Sequence, residues 1–102
     1  MTLFVVTRER GPAWDASRPM REQERWDDHA AFMDRLVEEG EIVLGGPLGP
    51  GERKFLLIFD AASEDEVEPR LGDDPWVPMG LLRVASIERW EVLLGKSSLG
   101  AR

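Results

Sequence analysis

Two kinds of apolar pattern alternate along this chain. Leu3-Phe4-Val5-Val6 and Phe55-Leu56-Leu57-Ile58-Phe59 are continuous apolar runs; short runs rich in β-branched and aromatic residues between turn signals read as buried strands. Between them, residues 26–40 follow helical spacing. At about 100° per residue, Trp26, Ala30, Phe32, Met33, Leu36 and Val37 fall within an arc of roughly 160°. Asp27, Asp28, Asp34, Arg35, Glu38 and Glu39 take the other side. His29 lies inside the apolar arc, between Leu36 and Met33. A helix turns that arc to the core, so the imidazole is aimed at the interior or at a cavity.

The same pattern, read in order, predicts six elements. The first strand covers residues 2–7. Residues 11–21 carry two prolines and a turn signal and form a loop; its length suggests a flap over a cleft. The helix begins near Arg21 or Glu22 and reaches Glu39, with Gly40 as its left-handed stop. Residues 41–44 make a short second strand, closed by a tight turn at Gly45-Gly46-Pro47. A third strand spans residues 54–60. Ser63-Glu64-Asp65-Glu66 fits a capping box opening a helix to about Leu71, which Pro69 shortens or kinks. Asp74 caps a helical turn that Pro75 opens. Residues 81–94 hold the last strand, with a bulge near Ser86 to Arg89. The tail, 95–102, is expected to fray.

This β-α-β-β-α-β order is the split βαβ arrangement of the ferredoxin-like kind. It predicts an α+β fold in one domain, 1–102, with its ordered core at about 2–94. A four-stranded antiparallel sheet carries both helices on one face. Strands one and three are nevertheless apolar on both faces, and both faces must then be covered. The chain has no spare element for the second face, so a homodimer is expected.

Composition narrows the partners. With 20 acidic against 13 basic residues the net charge is −7, and no cluster of Lys and Arg offers itself to a phosphate backbone; nucleic acid is not an expected partner. The longest apolar runs reach five residues, far below the roughly 20 of a membrane span. The N-terminus lacks the charged start and long apolar region of a signal peptide, which makes the cytoplasm the expected compartment. There is no cysteine and one histidine, which argues against a transition-metal site. Gly45-Gly46-Pro47 lacks the spacing and the lysine of a phosphate loop. No cofactor is expected.

Several short stretches stand in a telling order. They are the Phe4-Val5-Val6 strand, His29-x-x-Phe32-Met33-x-x-Leu36 with Gly40 just beyond, Gly45-Gly46-Pro47-Leu48, and Asp74-Pro75-Trp76 with Met79-Gly80-Leu81 close by. Together, over residues 3–94, they resemble the YciI-like (YCII-related) proteins. The resemblance implies a dimeric α+β barrel, two ferredoxin-like subunits packed sheet to sheet. It also implies a His-Asp pair in a cleft, at His29 and Asp74, and small aromatic or quinone-like substrates. Pro69 and the long loop around Trp14 depart from the family pattern.

Each candidate has a plain structural reading beside the chemical one. His29 is a general acid or base oriented by Asp74, or a core histidine satisfied by a backbone carbonyl. Asp74 orients that imidazole, or is only an N-cap worth about 1 kcal/mol. Arg8, at the end of a strand, anchors an anionic substrate oxygen or pairs with an acidic neighbour. Trp14 and Trp76, with Met79 close by, line a pocket or an interface; Trp26, on the apolar arc, reads as packing. Arg8, Trp14, Trp76 and Met79 are therefore the expected substrate-binding set. The expected function is cofactor-free proton transfer (elimination, isomerisation or tautomerisation) on an aromatic or enolic substrate. The alternative is a non-catalytic ligand-binding or scaffolding homodimer in which His29 is structural.

Overall fold

The two continuous apolar runs become the two central strands of one sheet in the computed structural model, which describes residues 2–95. The elements are β1 (Thr2–Arg10), α1 (Trp26–Glu38), β2 (Ile42–Leu48), β3 (Lys54–Ala61), α2 (Val67–Leu71) and β4 (Leu82–Trp90). The sheet order is β2-β3-β1-β4, with every neighbouring pair antiparallel. This is the ferredoxin-like α+β topology. The expected fraying at 96–102 lies outside the described residues. Among those described, no helix is long and apolar enough to cross a membrane.

Side chains alternate across a strand, and here the alternation separates two environments. Phe4 and Val6 of β1 and Leu57 and Phe59 of β3 meet Phe32 and Leu36 of α1 and Val67 and Leu71 of α2, forming the main core. A second cluster joins Trp14, Phe55, Trp76, Leu81 and Leu82 at one end of the sheet. The other face, with Leu3, Val5, Leu56 and Ile58 at its centre, has neither helix against it. There Leu44, Leu48 and Trp90 remain 56%, 43% and 45% exposed.

Four local expectations are corrected. Gly45-Gly46-Pro47 is strand, not turn, pairing with Leu57, Leu56 and Phe55 of β3. β2 is an edge strand, where alternate N–H groups have no ladder partner, so proline is tolerated. The helix starts later than its apolar pattern suggests. Met20–Glu22 form a single 3₁₀ turn, Gln23 is extended, and Arg25 adopts a left-handed φ of 60° before α1 begins. The capping box is only half formed: Ser63 makes no side-chain cap bond, while Glu66 accepts the Ala62 N–H at 3.2 Å. The helix holding Pro69 is short, as expected: α2 runs only Val67–Leu71, with Pro69 in its first turn, where a backbone N–H would have no helical partner anyway. The bulge in β4 lies at Ala85, between the Arg8–Val84 and Thr7–Ser86 pairs.

The loop at 11–21 is pinned rather than free. The buried Gln23 amide donates to the carbonyls of Asp15 (2.7 Å) and Arg18 (3.0 Å), and its oxygen accepts the Asp15 N–H at 3.0 Å. Glu52 accepts the Met20 N–H at 2.8 Å, and its carbonyl accepts Arg10 Nε at 2.9 Å. Gly11 donates to the Leu81 carbonyl at 2.8 Å, and a Cβ built on Gly11 would run into the Gly80 carbonyl oxygen. That obstacle is backbone and does not swing aside. Gly11→Ala is expected to cost about 3 kcal/mol, the upper end for overpacking, read as a lower denaturation midpoint at unchanged m-value.

Candidate active site

A tight turn delivers Asp74 to the interior. Asp74 N–H donates to the Leu71 carbonyl at 3.0 Å, and Val77 N–H donates to the Asp74 carbonyl at 2.9 Å. The Asp74 side chain folds back, its Oδ1 accepting the Trp76 N–H at 2.9 Å. This Asx-type turn fits Asp before Pro. The carboxylate is fully buried.

Two cationic or protonatable groups converge on it from other elements. His29, in the second turn of α1, places Nδ1 at 2.9 Å from Oδ1 and 2.8 Å from Oδ2. Arg8, on the helix-facing side of β1, donates from Nη1 to Oδ2 at 3.0 Å. Burial works to raise the Asp74 carboxyl, but the His29 hydrogen bond and charge, the Trp76 amide and Arg8 together hold it below the ordinary carboxylate value. Burial likewise pushes the Arg8 guanidinium down, opposed by the charge and hydrogen bond of Asp74. An ionised carboxylate has only acceptors, so a neutral His29 carries its proton on Nδ1. Its Nε2 lone pair is then free. This is the orientation that a base assisted by a carboxylate requires.

The rest of the ring is held by aromatics. Trp76 stacks flat on the imidazole, with centroids 3.9 Å apart and planes 4° apart. Its own Nε1–H donates to the Glu24 carbonyl at 2.7 Å. Trp26 leans on the other neighbours at 5.6 Å from His29 and 5.8 Å from Trp76.

His29 and Arg8 line a cleft of about 270 Å³ between α1 and the β2–β3 end of the sheet. Its walls are Trp26, Met33, Phe55 and Leu57, with the backbone of Gly45, Gly46 and Pro47 along one side. Gly45 has no side chain to project there, and a Cβ would meet Leu57 Cδ2 at 2.7 Å. Arg8 retains donor capacity beside this space: among the described residues, Nη2 meets only the Met33 sulfur at 3.4 Å, and Nε is buried without a partner. Larger hollows of about 660 and 430 Å³ lie around Arg70 and around Arg18. Neither reaches His29, whereas the cleft beside it is mostly apolar with a few convergent polar groups, the character of a small-molecule site.

The structure thus brings three of the expected residues together, His29 and Arg8 on the cleft and Asp74 beneath them. It places the other three elsewhere. Trp76 is fully buried under the imidazole rather than on the cleft wall. Trp14 packs against Phe55 at 6.0 Å and Trp76 at 5.7 Å, with the Arg10 guanidinium 4.9 Å above it. Met79 borders the hollow beside Ala13 and Gln23. The wall residues that sequence reasoning passed over are Trp26, Met33 and the Gly45-Gly46 backbone. A pair of glycines in a strand, where a ligand can approach the backbone, was the available signal.

The α+β chain thus carries a buried carboxylate–imidazole pair beside a small apolar cleft on a ferredoxin-like sheet. The family model of the YCII-related domain matches residues 2–91; the chain belongs to that family. It is also similar to a solved structure, a 5-chloro-2-hydroxyhydroquinone dehydrochlorinase from Burkholderia phenoliruptrix AC1100 in complex with 2,5-dihydroxybenzoquinone. The two share 30% identity over 88% of this chain and 94% of that one, with a TM-score of 0.58. Comparison with curated protein sequences gives no match.

Proposed function

We propose that this protein is a cofactor-free enzyme that moves a proton on a small aromatic or enolic substrate, with His29 as the acid–base group and Asp74 orienting it. The observation that carries the reading is the His29 ring itself, with Nδ1 on a buried carboxylate and the residue lining a small, mostly apolar cleft. That a 30%-identical neighbour is a dehydrochlorinase of a hydroxylated ring supports small-molecule chemistry of this class. The apolar walls suit a planar ring, and Arg8 is the group beside them that would meet an anionic oxygen.

The chemistry follows from the charges. Nε2 takes a hydroxyl proton from the substrate, and the freed electron pair forms a carbonyl and shifts a ring double bond. In a tautomerisation, the displaced pair takes up a proton at carbon. In an elimination, the halogen-bearing carbon is protonated in the same way, and loss of a second hydroxyl proton then forms a second carbonyl and expels the halide with its bonding pair, so the net loss is one molecule of acid. The imidazolium that forms is stabilised by Asp74, and the oxyanion by Arg8, without oxidant or metal. We expect halogenated hydroquinols, quinols and enol acids to include a turned-over substrate, detected by halide release and by change in ring absorbance. Saturable binding of such compounds without turnover by the wild type would favour the binding-module reading instead.

The assembly belongs to the same proposal. The helix-free sheet face, with Leu44, Leu48 and Trp90 exposed over Leu56 and Ile58, is covered by the same face of a second copy. At about 25 cal/mol per Å² of apolar surface, a standard interface of ~1,600 Å² supplies ample burial for a stable homodimer. Light scattering at micromolar concentration should return twice the 11.5 kDa chain mass. A well-folded species of single mass would end the dimer proposal.

A further inference from the structure

Trp76 is bound into both halves of the His29–Asp74 pair. Its backbone N–H holds Asp74 Oδ1 at 2.9 Å, and its indole lies 3.9 Å from the imidazole and within 4° of parallel. The indole is itself fixed, fully buried and anchored through Nε1–H to the Glu24 carbonyl at 2.7 Å. Trp14 stands edge-on to it at 5.7 Å, and Trp26 tilts against both Trp76 and His29. Leu or Met would fill such a core position without an aromatic face to stack on the imidazole, and Phe would offer the face without the polar anchor.

We propose that Trp76 is a positioning residue: its indole face fixes the plane of the His29 ring so that Nδ1 meets Asp74 while Nε2 meets the cleft. The assignment rests on the acid–base reading above for its catalytic meaning, but its structural content stands without a substrate. The division of labour is geometric. A stacked platform permits the imidazole only in-plane orientations, and Asp74 then selects the one of those with Nδ1 inward. Asp74 alone leaves the ring free to swing about its side-chain bonds and trade one hydrogen bond for poorer ones. Held by both, the neutral ring has a single tautomer and a lone pair of fixed direction. Positioning of this kind matters because small misplacements of a reacting group cost rate steeply, about 10²-fold for roughly 1 Å.

His29 is the only histidine of the chain, so its ring signals are directly assignable by nuclear magnetic resonance. With the ring neutral in the wild type, the two ring nitrogens are expected to differ widely in ¹⁵N shift, with Nδ1 protonated and Nε2 not. The carbon-bound ring protons should be shifted upfield by the indole ring current. Trp76→Leu is expected to bring the two ¹⁵N shifts toward a common average, and Trp76→Phe, which keeps an aromatic face, to retain most of the separation. With a turned-over substrate, Trp76→Leu should lower kcat about tenfold or more at nearly unchanged KM, with rescue in Trp76→Phe. A folded Trp76→Leu protein with the wild-type ¹⁵N separation would reduce Trp76 to packing. If Trp76→Leu does not fold, the wild-type spectrum still decides, because absence of the ring-current shift removes the platform. Failure to find any substrate would strike the acid–base reading and leave the tautomer result intact.

Discussion

Replacing His29 with alanine is expected to lower turnover of a true substrate by about 10²–10⁴-fold, the usual worth of a positioned acid or base, in a protein that still folds. The fold should tolerate the change because Asp74 keeps two of its partners, Arg8 and the Trp76 amide, and no charge is stranded. The proton acceptor acts in the transition state and contributes little to ground-state binding, so kcat and kcat/KM should fall together with KM near wild type. Circular dichroism and melting temperature serve as folding controls. Near wild-type turnover from a folded His29→Ala protein would assign the imidazole to the core and leave a ligand-binding domain.

How much of this was legible in the sequence depends on how local each feature is. β1, α1 and β3 follow from side-chain periodicity alone, and their order carries the topology. Gly40 ends α1 with a φ of 80°, as its place after the apolar pattern required. What the sequence concealed is set by distant partners. Gly45-Gly46-Pro47 looks like a turn until β3 lies beside it and the edge of the sheet makes proline harmless. Arg21 and Glu22 look like a helix start until Gln23 is seen stapling the preceding loop from inside. Glu66 does act as a capping side chain, but its partner is the Ala62 amide, one residue earlier than a capping box places it.

The candidate site divides along the same line. The apolar arc of α1 pointed His29 inward, and the family resemblance matched it with Asp74. Nothing in the spacing of Arg8, His29 and Asp74, 66 residues apart at the extremes, shows that one carboxylate would serve both the guanidinium and the imidazole. The loop tryptophans were misplaced for a related reason. Trp14 and Trp76 sit in stretches rich in Pro, Gly and Asp, where an aromatic ring has no local partner, and their partners proved to be each other and Phe55. The result is that the aromatic surface expected on the cleft lies one layer deeper, under the imidazole.

The largest stability effect should come from Asp74. Asp74→Ala removes the one carboxylate among the described residues that Arg8 pairs with, while the Arg8 side chain stays 2% exposed. Breaking one partner of a buried ion pair costs about 3–5 kcal/mol, because the remaining charge is left uncompensated. For a domain of this size the total stability is roughly 5–15 kcal/mol, and such a loss lowers Tm by roughly 15 °C or more. Asp74→Ala combined with Arg8→Met should recover part of it, since no charge then remains to be desolvated. The pH dependence has a definite sign. The folded Asp74 carboxyl lies below its ordinary value, so its stabilisation is complete above the unfolded carboxylate value of about 3.9 and is lost as pH falls through the folded value. Between pH 7 and 5 the wild type should therefore show little change from this group, with the decline confined to lower pH. Asp74→Asn should be less stable at neutral pH and should lose less on acidification, retaining the shallower slope owed to Asp15 and Glu41, whose carboxyls are also held low by hydrogen bonds to Ser17 and Arg70. Parallel acid-denaturation curves for the wild type and Asp74→Asn would show that the carboxylate at the centre of this site is not the group that makes the fold acid-sensitive.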